Sequence, residues 1–168
     1  MKRLVTVMLA VVVACGAVGV ATAAEDSWGP WEPTYQGPIS VPAGLVCSFP
    51  VQADPVRQNL AVRYHYDEAG NPDGYQVRGD LIARITNLDT GASVVRNSSS
   101  FGTVFYSSDG SWEAVITGPF LVFFVTGDNP PNQLLLLSGR TVLRGDPTGT
   151  KTLVSTSGAS EDLCATLS

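Results

Sequence analysis

The sequence is short of charge and shorter still of the residues that usually carry chemistry. Charged residues make up 15% of its 168 residues, with one histidine, three cysteines and two methionines. Its only lysines are Lys2 and Lys151, and the arginines beyond Arg3 stand singly. A phosphate-binding surface needs clustered cations to release counterions, so nucleic acid is excluded as a partner. With His65 alone the chain lacks the imidazoles that a catalytic zinc wants. It also has no Gly-x-Ser-x-Gly elbow and no glycine-rich phosphate loop. No internal repeat of roughly 20 to 50 residues points to a propeller or solenoid. These residues call for no cofactor and no metal.

What is present favours β-structure. Seventeen glycines and eleven prolines sit in a chain that is 44% hydrophobic, with a mean hydropathy of +0.15. That composition argues against disorder, coiled coil and helical bundle, and the length suits one domain.

Residues 1–23 read as a secretory signal: Lys2 and Arg3 precede the apolar run Leu4 to Ala14, and Ala21-Thr22-Ala23 offers an A-x-A cleavage site before Ala24. Val12-Val13-Ala14-Cys15 supplies an alternative, a lipoprotein anchored at Cys15. That motif lacks its core leucine, and the residues after Cys15 stay apolar. With Lys2 and Arg3 removed, eight basic residues face 15 acidic ones, a net charge of about −7. Export leaves two cysteines, Cys47 and Cys164, which an oxidising compartment should pair. The mature form is expected to be secreted, without a membrane span.

Residues 24–44 form a leader with Pro30, Pro33, Pro38 and Pro42 and no periodicity. Trp28, Trp31 and Tyr35 are too large and apolar to leave wet, so part of the leader should pack on the body. From residue 45 to 168, turn clusters such as Asp89-Thr90-Gly91 and Asp109-Gly110 interrupt short apolar or alternating runs. Strands are expected near 45–51, 59–66, 75–88, 92–98, 101–107, 111–117, 119–126, 134–144 and 150–156. The fold class is all-β: an antiparallel meander closing into a roughly eight-stranded barrel, with a β-sandwich as the alternative.

Two runs, Phe120 to Val125 and Leu134 to Leu137, are apolar at every position, so both faces of each strand want cover. The leader, a second subunit or a ligand inside a barrel would supply it. Phe120, Val122 and Phe124 are accordingly the candidate interface of a homo-oligomer.

The pattern Val41-Pro42-Ala43-Gly44-Leu45-Val46-Cys47-Ser48-Phe49, with Gly139-Arg140 and the closing Asp162-Leu163-Cys164, resembles a group of small secreted actinobacterial proteins without established activity. The resemblance spans most of the mature chain. It implies a signal-bearing, disulfide-closed β-domain and carries over no catalytic residue.

The remaining candidates are few. His65 lies on an alternating strand and reads as a surface or cross-strand residue. The acids Asp67, Asp73, Asp89, Asp109, Asp128 and Asp146 sit in turns, where they bond local backbone; Glu113 alone lies mid-strand, beside Trp112, and reads as part of a solvated strand face, with an acid in a sugar cleft as the alternative. The loop Asp67 to Gly74 fails the calcium-loop register. Asn97-Ser98-Ser99 is a glycosylation sequon, of little weight in a bacterial protein. Arg140, after Gly139, would aim into a barrel mouth, with Arg84 and Arg144 comparable. Trp112, Glu113, Arg84 and Arg140 are therefore the candidate contacts for a ligand or partner. The expected function is a non-catalytic binding or surface-interaction module. The alternatives are a lipocalin-like carrier of a small apolar ligand and a barrel-type isomerase or cyclase.

Overall fold

The computed structural model describes residues 27–168; the expected signal (1–23), the lipid-anchor alternative at Cys15 and leader residues 24–26 lie outside it. In chain order the elements are β1 (Glu32–Thr34), β2 (Ile39–Val41), β3 (Val51–Tyr66), β4 (Pro72–Asn87), β5 (Ser93–Asn97), β6 (Ser100–Tyr106), β7 (Trp112–Thr117), β8 (Phe120–Phe124), β9 (Gln133–Leu137), β10 (Arg140–Gly145), β11 (Lys151–Thr156), β12 (Ser160–Asp162) and the single turn α1 (Leu163–Thr166).

The long hairpin β3–β4 organises the rest. Its register slips between Pro55 and Arg57, leaving Val56 unmatched. Proline brings no N–H to a ladder, and a bulge bends the strand that carries it. On the other strand a Cβ at Gly79 would lie 2.0 Å from the Asn59 carbonyl oxygen, so only glycine allows that close passage. Beyond the bulge the neighbours change. The Val51 side of β3 pairs with β2, and the Asn87 side of β4 with β5. The other halves pair with β1 and β6, and the sheet continues through β7, β10 and β11. One hairpin thus feeds two wings of a nine-stranded antiparallel sheet.

The second sheet, in the order β12-β9-β8, lies between the wings. Leu121, Phe123, Leu134 and Leu136 pack with Val51, Ala53, Ala83 and Ile85 of the first wing. Phe120, Val122, Leu135 and Leu137 pack with Ala114, Ile116, Leu143 and Leu153 of the second. Both fully apolar runs are therefore covered by the chain itself, with Ile39 and Val41 of the leader joining the first wing's side of the core, and no second subunit is needed. Phe120, Val122 and Phe124 are 7%, 6% and 0% exposed, so the interface expected there has no surface to offer.

One expected strand breaks where the chain changes sheets. Residues 134–144 divide at Gly139 into β9 and β10, one in each sheet. Gly139 takes φ +74°, and a Cβ there would lie 2.8 Å from the Gly158 backbone nitrogen. Gly118, at φ +106°, makes the outward crossing from β7 to β8. The hairpin β8–β9 is thus an insertion between β7 and β10, which pair directly with each other. Among the described residues the large sheet runs from β1 to β11 without joining its ends, so the ladders form two antiparallel sheets and no closed barrel. The expected strand at 45–51 is instead a series of turns around Cys47, and the leader contributes β1 and β2.

Cys47 and Cys164 form the disulfide, with Cα atoms 5.4 Å apart, tying those turns to α1. Closing so long a loop removes unfolded-chain entropy worth on the order of 5 kcal/mol in the chain-entropy model. Leu163 and Leu167 sink into the first core beside it. Asn87 completes the closure, its side-chain amide donating to the Leu167 carbonyl at 3.0 Å. A disulfide is compatible with an extracellular protein, and no helix among the described residues is long and apolar enough to cross a membrane.

The loop after β8 is fixed by a buried carboxylate. Asp128 accepts from the Val125 and Lys151 backbone N–H groups, both at 2.7 Å, and from Lys151 Nζ at 2.9 Å. Burial pushes its carboxyl up, but the Lys151 and Val125 donors outweigh that and hold it below the usual carboxylate range.

Two outcomes are expected. Phe124→Ala should cost about 3–5 kcal/mol in urea denaturation, while Phe101→Ala on the outer face should cost about 1 kcal/mol. Equal costs would refute the two-sided burial of β8. A depressed folded-state carboxyl stabilises above the unfolded value near ~3.9, and that stability is lost as pH falls through the lower folded value. Asp128→Asn should therefore lose about 1–3 kcal/mol at neutral pH and show a flatter decline in melting temperature under acid than the parent.

Candidate functional site

In an antiparallel ladder, directly opposed residues project on the same face of the sheet. Across the second wing the register aligns Val62 with Val77, Tyr64 with Tyr75, Tyr75 with Val104, and Tyr106 with Trp112. It also places Ala114 opposite Leu143. This is the inward face; β8–β9 covers its Ala114 and Leu143 side, with Val104, Trp112 and Ile116 at the margin of that cover. The part built from β3, β4 and β6 is left as an open trough.

Three adjoining recesses shape the trough. One of about 430 Å³ is lined by Thr34, Val62, Tyr64, Pro72, Gly74, Tyr75, Val77 and Tyr106. The next, about 320 Å³, is lined by Tyr75, Val104, Tyr106, Trp112, Ala114, Ile116 and Leu143, running up to the edge of the inserted hairpin. Tyr75 and Tyr106 divide the two, their ring centroids 6.2 Å apart and their planes tilted by 38°. Beyond Tyr106 a third recess, about 360 Å³, is walled by Asp67, Pro72, Asp73, Ser107 and Ser108. Burial first, then the neighbouring Tyr106 hydroxyl, pushes the Tyr75 phenol above its ordinary value, so it stays a neutral donor and acceptor. Trp112 owes its place to a cross-strand glycine: a Cβ on Gly145 would lie 2.0 Å from the indole nitrogen.

The outer face of the same wing is built differently. Trp28 meets His65 and Phe105 edge-on at centroid distances of 4.9 and 5.8 Å. Arg63 lies over Trp28 and Trp31 at 4.7 and 4.9 Å, and Arg78 over Trp31 at 4.0 Å. The leader's tryptophans do pack on the body, on this outer face. His65, a surface and cross-strand residue as expected, also contacts Asp73 through Nδ1.

Of the four contact candidates, only Trp112 lines the trough. Glu113 points outward and accepts from Arg144 Nε at 2.8 Å, so it is a paired strand carboxylate and not an acid in a cleft. Arg140 is exposed at the start of β10 and faces no barrel mouth, because Gly139 is a crossing between sheets. Arg84 is exposed on the other wing, in register with Asp54 and Val95. Cys47 and Cys164 are structural.

Of the turn acids, Asp67, Asp109, Asp128 and Asp146 bond nearby backbone as their sequence context implies, whereas Asp73 contacts the His65 side chain. Asp67 accepts from the Asn71 and Ala69 N–H groups at 2.8 and 2.9 Å, and Asp146 from Thr148 and Thr150 at 2.9 and 3.0 Å. The serines around 98 are more than loop polarity. Ser98 Oγ accepts from the Leu121 N–H at 3.0 Å, holding the free edge of β8, and Ser99 Oγ accepts from the Leu81 N–H at 2.9 Å.

Sequence reasoning missed Tyr64, Tyr75 and Tyr106. The signal was partial: Leu60, Val62, Tyr64 and Tyr66 alternate as one face, but nothing local says that β8–β9 would stop short of them. No family model, curated protein or solved structure matches the chain.

The trough's outer rings should be dispensable for folding. Tyr64 and Tyr106 are 42% and 49% exposed, so the double variant Tyr64→Ala/Tyr106→Ala is expected to keep its melting temperature within about 5 °C of the parent. A cooperative loss of structure in circular dichroism would show that these rings belong to the core.

Proposed function

We propose that this is an exported, non-catalytic binding module whose site is the open trough lined by Tyr64, Tyr75, Tyr106 and Trp112. The observation that carries the reading is apolar, aromatic surface left uncovered in a concavity that the chain fills elsewhere. Monomeric proteins seldom leave such a patch without use, and ligand sites are concave, mostly apolar and sparsely polar. The two tyrosine-walled recesses are lined by Tyr, Trp, Val, Leu, Ile, Ala, Gly, Pro and Thr, a set suited to holding a ligand and poor in groups for proton transfer.

The resemblance to small secreted actinobacterial proteins and the single disulfide both support export. As for architecture, the insertion of β8–β9 between the wings favours a filled, sandwich-like stack over a hollow barrel. The carrier of a small apolar ligand is the second reading, favoured by the valine floor of the trough. It differs in enclosure: the space a carrier would use as a lumen holds Phe120, Val122 and Phe124.

The test is a fragment screen by ligand-observed NMR on the parent and on Tyr64→Ala/Tyr106→Ala. Compounds that bind the parent should lose at least about tenfold in affinity on the double variant, the scale expected when two stacking rings are removed. Hits indifferent to those rings would place binding elsewhere and end the proposal.

A further inference from the structure

We infer that the trough takes a small organic ammonium ion, a cation wrapped in methyl or methylene groups. The inference rests on the trough being the binding site and specifies what it selects.

Three tyrosine rings, Tyr64, Tyr75 and Tyr106, border one recess. Aromatic rings present negative faces to a cation, and their phenol oxygens add acceptors. The surroundings carry the same sign. Asp67 and Asp73 wall the adjoining recess past Tyr106. At the opposite margin Glu32 stands across from Val62 in the ladder, on the trough's face of the sheet.

No lysine, arginine or histidine lines any of the three recesses among the described residues. The nearest cations in the sheet, Arg63 and Arg78, are turned to the outer face and stacked on Trp28 and Trp31. An anion would therefore meet no cation in the linings and two carboxylates beside them, of which Asp73 also contacts His65. A bare metal ion or a primary ammonium would have to shed strongly bound water against Val62 and Val77, which offer nothing in exchange. A neutral apolar ligand fits the walls but gains nothing from the rings' charge or from the acids. An alkylated ammonium satisfies both: its methyl groups bury against valine and ring carbon, and its diffuse charge needs no hydrogen-bond donor in return.

The experiment compares choline with 3,3-dimethylbutan-1-ol, which has the same shape without the charge, by chemical-shift titration of the tyrosine ring resonances of the full chain. Choline is expected to bind about tenfold or more tightly than the neutral isostere. That preference should vanish in Tyr64→Ala/Tyr106→Ala and shrink by about threefold in Asp73→Asn. Vesicles of phosphatidylcholine form a parallel arm: binding of free choline alone marks a soluble ligand, and binding of vesicles marks a headgroup, either of which sustains the inference. Equal affinity for choline and the isostere would overturn it while leaving an apolar binding site in place. Binding of neutral fragments with none of choline would do the same, and a trough that binds nothing would overturn both readings.

Discussion

A strand pair that is apolar on both faces cannot be left on the outside of a sandwich. β8 and β9 read Phe-Leu-Val-Phe-Phe and Gln-Leu-Leu-Leu-Leu, and each fully buried side chain of this size is worth about 1.5–3 kcal/mol. Two layers must therefore close on them. Here both layers come from one sheet, and one sheet can lie on two sides of a hairpin only if it bends. The slip at Val56 and the glycine at Gly79 provide that bend on the two strands common to both wings. The local geometry of a bulge and the burial of a hairpin nearly 70 residues later are one constraint seen from two ends.

The site follows from a mismatch of extent. The second wing has seven strands, β1, β3, β4, β6, β7, β10 and β11, while the sheet it embraces has three. Three strands cannot cover seven, so part of the inward face stays open, and the chain order decides which. The inserted hairpin leaves from β7 and returns to β10, so it covers the residues of those strands first. In this wing β3 and β4, two strands removed from that point of attachment or more, keep their inward side chains free. Val62, Tyr64, Tyr75 and Val77 have the alternation of core residues because they continue a core face beyond the point where the core ends.

This explains what could be read from the residues alone. The β class and the backbone-bonding role of Asp67, Asp109 and Asp146 rest on local chemistry visible in short stretches of sequence, and the Cys47–Cys164 bond follows from there being two cysteines left to pair. The two-sided burial of Phe120 to Phe124 was equally legible as a demand, but the sequence did not name what meets it. The partner strands lie far away in the chain, and a pattern of period two records which residues share a face without recording which face of another sheet lies against it. The expected strand at 134–144 failed for a related reason: a glycine inside an apolar run can be a kink, a close approach or a crossing, and only the crossing changes sheets. Arg140, counted as pointing into a lumen, followed that error outward.

The placement of charge gives the trough its character. Alternation along β3 sends Val62 and Tyr64 inward and Arg63 and His65 outward, and β4 does the same with Val77 and Arg78. The leader then holds Arg63 and Arg78 on the outer side with Trp28 and Trp31, each such contact worth about 0.5–1 kcal/mol at an exposed site. Those indoles lie on the outer face and join neither core cluster, and their stacking has a different consequence. It keeps the sheet's positive groups away from a recess whose rim is acidic. In a chain with so few charges, turning Arg63 and Arg78 to the outer face is enough to leave the recesses on the other without a cation in their lining.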